Sequence, residues 1–249
     1  MLEVTGLHKR FSGVVAVDDL SFRVADNELV GLIGPNGAGK TTVFNLISGV
    51  LKPDRGTITF NRQNITSRAI HRIAALGVTR TFQQDMLFDN QSCLDNVRIA
   101  CHLSERQTNP QLPPDSRAEH NRDDGTEERA HNILALMGLD GYAEMLAGSL
   151  PHGIKRVLGV SMAWATNPKL LLLDEPAAGM TLNEIDTLKG LIDRLQGFGV
   201  CILLVEHNVR MVTDICHRIL VLNFGRLIAE GTPDQVLKDK DVIKAYLGT

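Results

Sequence analysis

No run of the 249-residue sequence approaches the stretch of about 18 apolar residues that a membrane-spanning helix needs. Any role at a membrane is therefore expected to pass through separate chains. The opening residues, Met1-Leu-Glu-Val-Thr-Gly-Leu-His-Lys9, lack the apolar centre of a secretory leader. Cysteine is scarce, and Cys93, Cys101, Cys201 and Cys216 show no close-paired spacing. That argues against a disulfide framework or a zinc site and for a reduced, cytoplasmic setting. Basic residues nowhere form a block and the net charge is −3, so nucleic acid is not expected as a partner. Neither an internal repeat nor an interdomain linker is visible. With 43% apolar and 22% charged residues, the composition is that of a globular protein able to bury a sizeable core. One large α/β domain, with lobes, is the expectation.

What is present is concentrated in residues 29–43. Leu29, Val30, Leu32 and Ile33 form an apolar run of strand length bounded by glycine. It leads into Gly34-Pro-Asn-Gly-Ala-Gly-Lys40-Thr41, which matches the phosphate-binding pattern G-x-x-x-x-G-K-[ST] in full. Gly34, Gly37 and Gly39 allow positive φ, so successive N–H groups can turn inward as an anion nest. The helix expected from Lys40 onward, with Val43, Phe44, Leu46 and Ile47, aims its positive dipole end at the same point. Lys40 then supplies a charge for the β- and γ-phosphates, and the Thr41 hydroxyl a ligand for Mg²⁺. A glycine-rich turn matches this pattern by chance roughly once in a hundred chains of such length. The strand before it and the helical pattern after it lower that further, and nucleotide binding is the reading.

Leu2–Leu7, Leu20–Val24 and Gly56–Phe60 alternate apolar with polar residues, predicting a small antiparallel sheet beside a larger one. Leu76–Phe82 is a further strand candidate, followed by Gln83. Cys93–Cys101 carries a helical period. Residues 103–129 are charged, contain proline and hold almost no apolar residues, so they read as a solvated loop or an exposed helical insert. Helical spacing returns at Ile133, Leu134, Leu136 and Met137. Pro151 suits the first position of another helix, running to Thr166. Leu170–Leu173 and Val200–Val205 are apolar throughout and end in Asp174-Glu175 and Glu206-His207. Between them Leu182, Ile185, Leu188, Leu191, Ile192 and Leu195 form one helix face. Strands buried on both faces and alternating with helices predict a parallel sheet covered on both sides.

Such sheets hold ligands at the carboxyl ends of their strands, so the phosphate loop, Asp174-Glu175 and His207 are expected to meet. Hydrolysis of a nucleoside triphosphate is mainly positioning and charge stabilisation. Asp174 suits the coordination sphere of Mg²⁺, a hard-oxygen site. Glu175 suits orienting and deprotonating the attacking water. A surface carboxylate near a turn is the plainer alternative, outweighed by the four leucines ahead of the pair. A lone histidine after a strand is usually structural, but at this strand end His207 can donate to a γ-phosphate. Gln83 can touch both Mg²⁺ and water. Phe11, taken alone, is more often core than ligand contact.

The ordered set Lys9-Arg10-Phe11, Gly34–Thr42, Phe82-Gln83, Leu150–Arg156, Leu170–Pro176 and Glu206-His207 resembles the nucleotide-binding subunit of an ABC transporter. The resemblance covers essentially the whole chain. It implies an α/β fold: a P-loop NTPase (RecA-like) core with a small antiparallel β subdomain and an α-helical subdomain. Core and β subdomain would occupy about 1–84 and 167–249 of one domain, and the helical subdomain, with the signature motif, about 85–166. ATP and Mg²⁺ are the cofactors implied, with Asn36 and Thr42 joining the loop glycines, Lys40 and Thr41 around the nucleotide. By the same resemblance Phe11 stacks on adenine, Gln83 is the hinge that senses the transporter, and His207 is the switch histidine. Gly153 belongs to the signature loop that reaches the γ-phosphate held by a second ABC ATPase subunit, in a homo- or heterodimer. The other partners implied are transmembrane permease subunits, docking near Gln83–Phe88 and the 92–165 lobe, and indirectly a solute-binding protein. The chain would then lie on the inner face of the cell membrane.

Arg80-Thr-Phe-Gln-Gln84 with Leu87-Phe88, Asp174–Thr181, Ala229–Pro233 and Ala245–Gly248 are similar to uptake transporters for branched-chain amino acids, amides and urea. His152 before the glycine is similar to the urea branch, so the branch stays open. A non-transport ABC ATPase acting in soluble assembly, and a nucleotide-dependent binding subunit with little hydrolysis, are the other readings. The common signature Leu-Ser-Gly-Gly-Gln is matched here by Leu150, Pro151, His152, Gly153 and Ile154. Proline removes a hydroxyl donor and its own N–H, and Ile154 removes a polar contact. Thr181 stands where many relatives carry Asp or Asn. Turnover slowed but not lost is the expectation.

Overall fold

The computed structural model describes residues 1–81, 86–108 and 119–247, with side chains described outside 103–124 and 247. In chain order it runs β1 (Leu2–Phe11), β2 (Val14–Val24), β3 (Leu29–Ile33), α1 (Lys40–Ile47), β4 (Arg55–Phe60), β5 (Gln63–Asn64), α2 (Ile70–Ala75) and β6 (Val78–Arg80). There follow α3 (Cys93–Thr108), α4 (Glu119–Leu136), α5 (His152–Ala165), β7 (Leu170–Asp174), α6 (Leu182–Gly197) and β8 (Cys201–Val205). The chain closes with α7 (Val209–Ile215), β9 (Arg218–Asn223), β10 (Arg226–Gly231), α8 (Pro233–Leu237) and α9 (Lys240–Leu247). It divides into two compact units, residues 1–80, 169–175 and 192–249 in one, 81–168 and 176–191 in the other.

The first unit holds both sheets. A six-stranded sheet has the order β10-β9-β3-β8-β7-β6, parallel except where β10 pairs with β9. Every residue of β3, β7 and β8 is buried, as expected of parallel strands covered on both faces. The second sheet, β2-β1-β4-β5, is antiparallel, and β1 buries Leu2, Val4 and Leu7 while its other residues face outward or lie half-buried. One apolar cluster joins the two sheets through α1, with Leu7, Leu20, Phe60, Phe44, Leu172 and Leu203 among its members. In the second unit α3, α4 and α5 pack on one another, burying Cys101, Leu134 and Leu158 completely. Asn96, fully buried on α3, accepts from Phe88 N–H (2.8 Å) and donates to the Phe88 and Ser92 carbonyls (3.2 and 2.8 Å). That satisfies a buried amide and holds the entry to the helix.

Several expectations are adjusted. Leu76 caps α2 and Gly77 turns the chain, so β6 begins only at Val78, and Phe82 and Gln83 lie outside the described residues. Of the choice left for 103–129, helix holds at 103–108 and from 119 onward. Pro151 is the N-cap of α5 rather than its first residue, with an extended ψ of 151° and its carbonyl accepting from Lys155 N–H (3.0 Å). Residues 176–191 belong to the second unit. The β9–β10 hairpin was not picked out from sequence. Its turn, Phe224-Gly225, takes positive φ at both residues, as a two-residue hairpin turn of type I′ requires.

Arg218, at the start of β9, ties this unit together through Glu28 (2.7 and 2.8 Å), Glu230 and the Arg23 carbonyl. Burial alone would raise the Glu28 carboxyl, but hydrogen bonds from Arg218 and the Ala25 N–H outweigh it and hold the group below its ordinary value. Its contribution to stability is therefore complete above the unfolded value of about 4.3 and lost as pH falls through the lower folded value. Arg218→Met is expected to flatten the acid side of the stability profile below that pH, read as urea midpoints across a pH series.

Candidate nucleotide site

The register of three strands sets the site. Leu32 of β3 and Asp174 of β7 both lie opposite Val205, the last residue of β8. The phosphate loop, Asp174-Glu175 and Glu206-His207 therefore leave the sheet at one level. Glu175 N–H donates to the Val205 carbonyl at 2.9 Å, extending that row by one bond.

The loop itself takes positive φ at Gly34, Gly37 and Gly39. Two of these positions also have no room for a side chain. A Cβ on Gly34 would stand 2.1 Å from the Leu222 carbonyl oxygen, and one on Gly39 would stand 2.3 Å from that of Ala16. Asp18 N–H donates to the Gly225 carbonyl and Gly225 N–H to the Ala38 carbonyl, both at 2.9 Å. The loop is thus seated on β2 and on the β9–β10 turn. Helix α1 starts from Gly39, which has no side chain to cap it, and its own first turn carries no acidic residue. Its leading N–H groups and dipole are left to attract an anion.

Lys40 is buried at the centre, its Nζ donating to the Gly34 and Pro35 carbonyls at 2.8 and 3.1 Å. Burial lowers its affinity for a proton, and the charges of Glu175 and Asp174 act in the opposite direction. Thr41 and Asn36 are exposed and Thr42 is partly so. Asp174 is buried, with its Oδ2 accepting from Arg80 Nη2 at 2.7 Å. Glu175 is buried with a backbone φ of +48°, a left-handed conformation that costs a non-glycine residue energy and clusters at functional positions. Its Oε1 lies 2.8 Å from Nε2 of the half-exposed His207, within hydrogen-bonding distance. The structure therefore brings Lys40, Asp174, Glu175 and His207 together. Phe11 closes β1 with 43% of its surface exposed, and Lys9 Nζ, itself held by Asp54 at 2.8 Å, lies 5.7 Å from its ring centre. Gln83 lies outside the described residues.

In the second unit Gly153 sits in the first turn of α5, where a Cβ would stand 2.2 Å from Glu184 Oε1. Glu184 Oε2 accepts from the Thr181 N–H and hydroxyl at 2.8 and 2.7 Å, a capping arrangement ahead of α6. These two bonds, with the charge of His152 behind them, hold the Glu184 carboxyl below its ordinary value. Thr181 is thus engaged in capping its own helix. Sequence reasoning missed Glu184 and the role of Arg80. The available signal for Arg80 was a cation in the strand segment Val78-Thr-Arg80, which needs a partner once buried.

A glycine loop closing on a buried lysine, with carboxylates at the end of a neighbouring parallel strand, defines a P-loop nucleotide-binding protein. A family profile described as ABC transporter matches residues 17–178, and one described as branched-chain amino acid ATP-binding cassette transporter matches residues 226–249. The chain is 40% identical over 256 residues to the high-affinity branched-chain amino acid transport ATP-binding protein BraF of Pseudomonas aeruginosa, covering 100% of this chain and 98% of that one. It is 39% identical over 254 residues to LivG of Escherichia coli K12, which has the same description, again covering 100% and 98%. Among solved structures, the ADP conformation of MJ1267, an ATP-binding cassette of an ABC transporter, aligns with a TM-score of 0.86 at 28% identity, covering 100% and 99%. The chain belongs to the ABC transporter family, as an ATP-binding subunit.

Gly39→Ala meets both the positive φ and the Ala16 carbonyl, strain of about 1–3 kcal/mol that the loop relieves by moving. ATP affinity is expected to fall about tenfold or more, measured by calorimetric titration.

Proposed function

We propose that the chain hydrolyses ATP to drive an importer of branched-chain or related amino acids. The single observation that carries the hydrolytic part is the grouping of Lys40, Asp174, Glu175 and His207 at the ends of adjacent strands. The names of the full-length relatives and the match over 226–249 support the solute class. In this reading the loop N–H groups, with Gly34, Asn36, Gly37, Gly39, Thr42 and Lys40, hold the phosphates, and Phe11 stacks on the adenine. Glu175 orients and deprotonates the attacking water, and His207 donates toward the γ-phosphate.

Mg²⁺ suits the donor set. Among the described residues no cluster of three or more His, Cys, Asp or Glu side chains forms a cation cage, and Mg²⁺ characteristically takes one or two protein oxygens plus those of a nucleotide. Thr41 and Asp174 would provide them, with Gln83 a third contact. When bound, Mg²⁺ neutralises charge that builds on the phosphates.

Gly153, at the start of α5, would face the nucleotide of a second ATPase subunit. Without a serine at position 151 or a glutamine at 154, that contact rests on backbone N–H groups and the helix dipole, so turnover is slower but not abolished. Permease subunits are the expected membrane partners, holding the chain at the inner face of the membrane. Among the described residues no helix is long and apolar enough to cross a membrane. Exposed Met86, Phe88, Met145 and Leu146 support a docking face on the second unit. Their two segments are joined by the Ser92–Leu146 bridge and by Cys93 N–H donating to the Met145 carbonyl at 3.0 Å.

Phosphate release, measured on the purified subunit alone and with its permeases, tests hydrolysis. Glu175→Gln is expected to lower release at least about a hundredfold while ATP still binds. No release above that variant in either preparation overturns the reading. Phe88→Asp is expected to lower co-purification with the permeases while leaving the free subunit's ATPase rate unchanged. Retention equal to the parent chain removes this face from the interface.

A further inference from the structure

We propose that Arg80 is a positioning residue for the metal-binding carboxylate: its guanidinium fixes Asp174 relative to the helix that carries Lys40 and Thr41. The proposal rests on Asp174 being a ligand of Mg²⁺ in the reading above. Arg80 ends β6, and its Nη2 donates to Asp174 Oδ2 at 2.7 Å. Its Nη1 donates to Asn45 Oδ1 at 2.6 Å and lies 3.3 Å from Ser48 Oγ, both on or capping α1. The guanidinium also sits 5.7 Å from the ring centre of Phe44, again on α1. The Arg80 and Asp174 side chains are only 7% and 4% exposed. One planar cation therefore joins the ends of β6 and β7 to the helix that follows the phosphate loop.

The choice of arginine follows from that geometry. A buried ion pair is weak evidence for stability, because desolvation can offset its attraction. What the fork supplies is direction: it serves a carboxylate on one side and an amide on the other at once, which a lysine ammonium on a flexible stem does not reproduce. With Oδ2 committed to Arg80, rotation of the carboxylate is restricted, and so is the set of directions in which it can meet a hard cation. Groups that orient a metal ligand in this way typically change metal affinity when altered, even though they never touch the metal.

The test is the gain in nucleotide affinity that metal provides. A fluorescent ATP analogue is titrated against the full chain, carrying Glu175→Gln to prevent turnover, once with EDTA and once with Mn²⁺. The ratio of the two dissociation constants reports the metal's contribution. Arg80→Lys and Arg80→Gln are expected to cut that ratio about tenfold or more while leaving binding in EDTA within about twofold. Asn45→Ala, which keeps the ion pair and the longer bond to Ser48 but removes the shorter bond of the second arm, is expected to cut it less, about threefold. If Arg80→Gln does not fold, Arg80→Lys and Asn45→Ala carry the test. An unchanged ratio in both, or equal losses with and without metal, overturns the proposal and leaves a structural ion pair. Asp174→Asn separates the two levels. If it leaves the ratio intact, or if the parent shows no gain with metal, the Mg²⁺ reading of Asp174 falls and this inference with it.

Discussion

The site depends on the pairing register at Val205. This residue stands opposite Leu32 on one side and Asp174 on the other, and its carbonyl accepts from Glu175 N–H. A parallel sheet buried on both faces resists slippage, because each step of register would exchange one packed face for the other. The complete burial of β3, β7 and β8 thus fixes where a lysine from one crossover and an Asp-Glu pair and histidine from two others emerge. No single one of these elements forms the site. The sheet does so by holding their ends level.

On that platform the charges form a compact balance. Lys40 is buried and held by carbonyls of its own loop, and the nearby carboxylates oppose the effect of its burial. Asp174 is held by Arg80, and Glu175 by His207, in a backbone conformation that a non-glycine residue adopts at a cost. Each charged group therefore has a defined partner and orientation before a ligand arrives. Preorganisation of this kind is what a reaction dominated by positioning and charge stabilisation requires. The second unit applies the same economy at Gly153, where the absence of a side chain leaves room for the Glu184 carboxylate that caps α6.

Much of this was legible in the sequence, and the reason is periodicity. The phosphate loop could be read because its glycines, lysine and threonine are required at fixed spacing, and the structure shows the positive φ values that spacing implied. Leu170–Leu173 and Val200–Val205 announced buried parallel strands because neither face carried a polar residue. What escaped notice depended on distant partners. The hairpin β9–β10 rests on a turn, Phe224-Gly225, whose first residue gives no glycine signal. Arg80 meets Asn45 and Asp174, 35 and 94 residues away, so no local pattern could assign it. Pro151 was misplaced by one position because proline is compatible with both the N-cap and the first helical residue, and only the extended ψ distinguishes them.

The central claim, that three strand ends serve a single magnesium triphosphate, is tested most directly by a crystal structure of the Glu175→Gln chain with ATP and Mg²⁺. The expected result is one nucleotide whose β- and γ-phosphates lie within hydrogen-bonding reach of Lys40 and the loop N–H groups. Asp174 and His207 would then be in contact with its metal or its γ-phosphate, directly or through one water. A nucleotide bound elsewhere, or one touching the loop while Asp174 and His207 remain out of reach, would contradict it.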